Sequence, residues 1–195
     1  MNLHSLQKGL KGCWYFFWGH LLGYFFYEKK YLCGRWFTGR YNGLCSIGWQ
    51  WVTYDAISRF FSLDNQTAKF PINQQCRVIC PENIDFDPND LNNFHSYGIY
   101  YQALGKIYIG SGSYIGPNVG LITSNHEFNK LDKHMEPEAI VLGEKCWIGM
   151  NSTILPGVIL GDRTVVGAGS VVTHSFPYGH CLIAGNPARL IKRLD

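Results

Sequence analysis

From Ile109 the chain repeats every six residues. It reads IGSGSY, IGPNVG and LITSNH, breaks, and resumes at Leu142 with LGEKCW, IGMNST, ILPGVI, LGDRTV, VGAGSV and VTHSFP. The first position of all nine hexads is Ile, Leu or Val. With those residues at roughly a quarter of an average chain, chance would give such a register on the order of once in a hundred thousand. The second position is Gly at 110, 116, 143, 149, 161 and 167, and the fifth is small or medium in most hexads, as at Ser113, Cys146, Ser152 and Ser170.

One geometry explains the pattern. Each hexad is a short flat side and a corner of a narrow prism. The aliphatic first residue points inward, the fifth has less room, and Gly relieves the tight backbone at the corner. Three sides close a coil, so residues about 18 apart stack at the ~4.8 Å strand spacing. A coil buries its apolar residues only against its neighbours, so several are needed. No 3.6-residue period runs through 109–176, which excludes a helical bundle.

Residues 127–141, EFNKLDKHMEPEAIV, obey no hexad rule and predict a protruding loop directly after His126. Upstream, 64–108 is less regular, with Arg77-Val-Ile and Ile84-Asp-Phe-Asp as candidate first coils. VTYDAISRFF (52–61) predicts a short helix. So does the stretch from Pro187, with proline in its first turn and a place over the open end of the last coil. The expected fold is all-β: a parallel β-helix with a partly helical N-terminal extension, the loop and a short C-terminal helix. Its parts are 1–63, 64–177 and 178–195.

Composition narrows the function. Hydrophobic residues are 46% and charged residues 16%, which suits a folded protein. A net charge of +3 is too weak and dispersed for nucleic-acid binding. Seven cysteines without a CxxC pair or a Cys/His cluster read as reduced thiols in a cytoplasmic protein, with no metal. GCWYFFWGHLLGYFFY, residues 12–27, is too short and aromatic for a spanning helix and lacks a signal-peptide cleavage site. Its Trp and Tyr between lysines fit a peripheral membrane contact at the inner face. Packing against a partner subunit or the β-helix is the preferred reading.

The hexads, SNHEF, the loop, CWIGMNSTILPGVILG, VGAGSVVT and AGNPARLIKR together resemble the left-handed β-helix acyltransferases over about residues 77–194. Sugar O-acetyltransferases, such as those acting on maltose, galactosides and capsule precursors, are the most similar. ENIDFDPNDLNNF and GWQWV also resemble bacterial exopolysaccharide O-acetyltransferases. The resemblance implies left-handed coils, a homotrimer with active sites between subunits, acetyl-CoA as co-substrate and a sugar or glycan acceptor.

Acetyl transfer from a thioester needs a base for the attacking hydroxyl, a donor for the oxyanion, and places for CoA and acceptor. His126 suits the base, since imidazole titrates near neutrality and the residue stands where the repeat gives way to the loop. The resemblance puts the family's catalytic histidine there, ahead of Trp147. It also assigns the oxyanion to the Met150 backbone amide. Asn125, His95 and His134 are candidates for the acceptor side. Trp147, Gly149, Gly167, Ala168, Thr173 and His174 are candidates for the CoA arm, with Arg189, Lys192 and Arg193 of the C-terminal helix for its phosphates. Glu127 and Asp132 could orient an imidazole, although solvated loop charges are the plainer reading. The rivals are an amino-group or antibiotic acetyltransferase, a non-catalytic β-helix scaffold, and a γ-class carbonic anhydrase, which lacks its third histidine here.

Overall fold

The computed structural model describes residues 3–38 and 46–195; residues 1–2 and 39–45 of the expected extension, Cys45 among them, lie outside it. The chain forms two compact units, Met1–Gln74 and Gln75–Asp195.

The second unit is a parallel β-helix with three faces. The first face stacks β1 (Arg77–Val78), β3 (Tyr100–Tyr101), β6 (Gly120–Leu121), β11 (Thr153–Ile154) and β14 (Val171–Val172). The second stacks β2 (Ile84–Phe86), β4 (Ile107–Ile109), β9 (Ile140–Leu142) and β12 (Ile159–Leu160). The third stacks β5 (Tyr114–Ile115), β10 (Trp147–Ile148), β13 (Thr164–Val166), β15 (Cys181–Gly185) and β16 (Ala188–Arg193). First positions of the hexads stack in columns. Leu121 lies under Ile154 and Val172, Ile115 under Ile148 and Val166, and Ile109 under Leu142 and Leu160. All nine are buried. Each carries its hydrophobic surface into a core one residue wide, which is why the first position tolerates only aliphatic side chains.

The glycines answer to stacking. A Cβ on Gly149 would stand 2.6 Å from Ala168 N and 2.7 Å from Val166 O of the next coil. Both are backbone atoms and cannot swing aside. Gly149→Ala should therefore cost about 1–3 kcal/mol and lower Tm by roughly 3–10 °C. Differential scanning calorimetry tests this, and an unchanged Tm would deny the packing role.

The end of the β-helix differs from expectation. Residues 188–193 are a strand, β16, antiparallel to β15, with Leu182 opposite Lys192 and Ala184 opposite Arg189. An isolated helix of some eight residues has too few hydrogen bonds to offset its nucleation cost. The exposed edge of β15 offers a full ladder instead. The interruption is also shorter than the predicted 127–141, because Ile140 and Val141 already belong to β9, with Ile140 buried opposite Ile107.

The first unit pairs α1 (Leu3–Phe26) with α2 (Ile47–Ser58). Among the described residues no helix is long and apolar enough to cross a membrane. Glycines let α1 approach α2, since a Cβ on Gly19 would meet Trp49 O at 2.9 Å. The helix predicted over 52–61 instead runs from 47 to 58, and it includes Gly48, a poor helix former, where a Cβ would meet Phe37 Cε1 at 2.7 Å. Where α2 ends, Arg59 pairs with Asp55 at 3.0 Å, and Tyr27 donates to the same carboxylate oxygen at 2.6 Å. Arg59 also donates to the carbonyls of Ala68 and Phe70, tying down the chain after α2.

Candidate active site

The interruption folds as a hairpin. β7 (His126–Glu127) runs antiparallel to β8 (Lys130–His134), joined by the two-residue turn Phe128-Asn129. Its base is clamped to the β-helix. The Met135 N–H donates to Asn125 O at 2.7 Å, Glu138 N–H to Thr123 O at 2.8 Å, and the Ser124 hydroxyl to Met135 O at 2.8 Å. Gln102 Oε1 accepts from the Thr123 and Ser124 amides. Thus the position of His126 is fixed by the coil beneath it, while its ring stays exposed.

Glu127 faces Lys130 across the turn, and a register shift beyond that pair sets His126 opposite His134. Their ring centroids are 4.2 Å apart with planes at 34°. This pairing was the part least visible in the sequence. Regular spacing across a two-residue turn would set Leu131 opposite His126, and Phe128-Asn129 is none of the glycine-bearing pairs that mark such turns, so no residue pattern announces the pair. The Asn125 carbonyl closes the hairpin. Glu127 and Asp132 are exposed, with Glu127 opposite Lys130. His95 is not brought to this pair. It follows the 3-10 segment Pro88–Phe94, in which Asn93 accepts from Ile115 N and donates to Ser113 O, standing in for a strand on the third face.

Trp147 lies on the third face between Tyr114 and Val165, with 59% of its surface exposed. Past β10 the chain turns a corner. Gly149 N–H donates to Val166 O and Asn151 N–H to Pro117 O, but the Met150 N–H between them meets no protein acceptor among the described residues. The same holds for Ala168 one coil further on. Beside it Gly169, at φ +71°, has open space around its missing Cβ. This corner therefore presents two open amide donors next to an exposed indole. Gly167 packs on Ala184, with a Cβ there only 2.9 Å from the Ala184 Cβ.

Thr173 and His174 follow β14, both exposed, with Thr173 Oγ1 2.6 Å from His174 Nδ1. Arg189, Lys192 and Arg193 are exposed along β16, so these cations lie on a sheet edge rather than a helix face. Arg193 reaches Gly179 O at 3.4 Å. Among the described residues no three His, Cys, Asp or Glu side chains are grouped so as to hold a metal ion.

Two edges of the prism thus carry the candidate chemistry. The hairpin, Thr173 and His174 occupy the corner between the first and second faces; Trp147, Met150 and Ala168 occupy the one between the third and first.

Comparison with known proteins agrees with the repeat. Residues 139–174 match the family described as bacterial transferase hexapeptide (six repeats). Over 90 residues the chain is 39% identical to galactoside O-acetyltransferase of Escherichia coli K12, covering 45% of this chain and 44% of that one. It is 40% identical over 90 residues to WcaF of the same organism, provisionally named a colanic acid biosynthesis acetyltransferase, covering 46% and 49%. The chain spans about half the length of the curated relatives it matches. A maltose O-acetyltransferase from Clostridium difficile 630 shares the fold, with a TM-score of 0.56, 24% identity, and coverage of 96% of this chain and 88% of that one.

Proposed function

We propose that this chain, whose residues 139–174 match the bacterial transferase hexapeptide family, moves an acetyl group from acetyl-CoA to a hydroxyl of a sugar or glycan precursor. The observation that carries the reading is His126, an exposed imidazole held by a clamped hairpin where the coils break. Its ring takes the proton of the acceptor hydroxyl as the oxygen attacks the thioester carbonyl. The tetrahedral oxyanion is met by the open Met150 amide. Collapse expels the CoA thiolate, which recovers the proton from the imidazolium. No metal or bound cofactor enters these steps.

The two edges argue for a homotrimer. In a threefold assembly the hairpin corner of one copy can face the Trp147–Met150 corner of the next. That closes a site with the acceptor toward Asn125, His134 and His95. The CoA arm then runs along Trp147, Gly149, Gly167, Ala168, Thr173 and His174, and the phosphates meet Arg189, Lys192 and Arg193. A left-handed coil and a cytoplasmic location, at the inner membrane face for a lipid-linked acceptor, belong to the same reading. The relatives named for galactoside and colanic acid support the acceptor class.

An acceptor screen with acetyl-CoA and thiol detection tests the proposal. Thiol release should depend on a hydroxylated sugar or glycan. Release only with amino acceptors would move the assignment to N-acetylation, and no release with any acceptor would leave a scaffold.

A further inference from the structure

The outward face of α1 has no role in the chemistry above. Trp14, Phe17, Trp18, Leu21, Tyr24 and Phe25 are all exposed. At 100° per residue they fall within an arc of about 120°. Gly12, Gly19 and Gly23 are buried on the opposite side, where Gly19 meets Trp49 of α2. The helix therefore uses its small residues to pack and turns its large aromatics to solvent, the reverse of a helix that buries its apolar stripe. A groove of about 550 Å³ on this face is lined by apolar side chains and His20.

Charge indicates what covers the face. Residues 1–74 hold eight Lys and Arg against three Asp and Glu, a formal +5, whereas residues 75–195 hold nine against eleven, or −2. Helix α1 contains no acidic residue. Lys11 is exposed on it and Lys29 just beyond its end, while Lys30 pairs with Glu28 at 3.0 Å. Two copies meeting through this face would bring like charges together. An anionic lipid surface would meet both features, since Trp and Tyr settle at the headgroup level and lysines add attraction to acidic lipids.

We propose that α1 lies in the plane of an anionic bilayer with the Trp14–Phe25 face inserted at the acyl boundary. The inference is independent of the acyl-transfer reading, because thiol release and lipid binding are separate readouts. The full chain should co-sediment with vesicles of phosphatidylcholine containing one-third phosphatidylglycerol, and should do so much less with phosphatidylcholine alone or in high salt. Phe17→Ser combined with Phe25→Ser, two exposed positions, should weaken binding at least ~10-fold with the circular dichroism spectrum unchanged. Wild-type protein that stays in the supernatant with the anionic vesicles would overturn the proposal, as would a double variant that pellets like wild type. A change in the double variant's molar mass by light scattering, without lipid, would also overturn it, identifying the face as a contact between copies.

Discussion

His126→Ala is expected to reduce turnover at least ~100-fold, the loss typical of a missing general base. The ring is exposed, and the hairpin is closed by backbone and Ser124 bonds that the substitution does not touch. Circular dichroism and Tm should therefore match wild type, and the loss should fall on kcat more than on the KM for acetyl-CoA. A residual rate above background should remain, because the Met150 amide still meets the oxyanion. His134→Ala tests the pairing. It removes the ring 4.2 Å from His126 but leaves the base in place, so a smaller loss, roughly 3–10-fold, is expected. Turnover near normal in His126→Ala, measured by thiol release, would remove the assigned mechanism. Equal losses in both variants would make the imidazole pair, rather than His126 alone, the working group.

The β-helix was legible because its rule is local and repeated. Each coil asks for the same aliphatic at the same step, so Ile148 and Val166 announce their stacking eighteen residues apart. Gly149 illustrates the limit of that legibility. The repeat located it, but only the coil above showed that Ala168 N and Val166 O exclude a Cβ, giving packing a sufficient reason for the glycine. His134 stands out in the sequence without its partner, since the register shift that brings it opposite His126 is a property of the folded hairpin. The last strand went astray for a related reason. Pro187 through Leu194 carries a helix-like spacing, and the partner that overrides it, the open edge of β15, exists only once the coils have formed. The aromatic segment of α1 is unusual already in the sequence, yet the face it presents depends on glycines such as Gly19, whose contacts lie on α2. In each case the missing information was a contact that exists only once the neighbouring elements have folded.

Arg59→Ala carries the largest expected effect on stability, a loss of about 3–5 kcal/mol, because it strands a buried charge. The side chains of Arg59 and Asp55 are 3% and 4% exposed. Removing the guanidinium leaves the carboxylate with Tyr27 as its side-chain partner and takes donors from the Ala68 and Phe70 carbonyls. Burial already holds the Asp55 carboxyl above the usual carboxylate range, and Arg59 opposes that rise. Without Arg59 the folded-state pKa should climb further from the ~3.9 of an unfolded aspartate. The folded form then binds its proton more tightly than the unfolded chain. Stability consequently falls as pH rises from the unfolded pKa through the folded one, and acidification toward pH 5 should restore part of the loss. Urea titrations of Arg59→Ala at pH 7 and pH 5 measure this, and a loss that grows on acidification would contradict the stranded-charge account. Pairing Arg59→Met with Asp55→Leu should recover stability relative to either single change, since no unpaired charge is left in the interior. Recovery by the apolar pair would show that the cost of Arg59→Ala lies in the uncompensated Asp55 charge. Failure to recover would assign it to the polar groups the pair satisfies, the Ala68 and Phe70 carbonyls and the Tyr27 hydroxyl, which a further Tyr27→Phe change would separate.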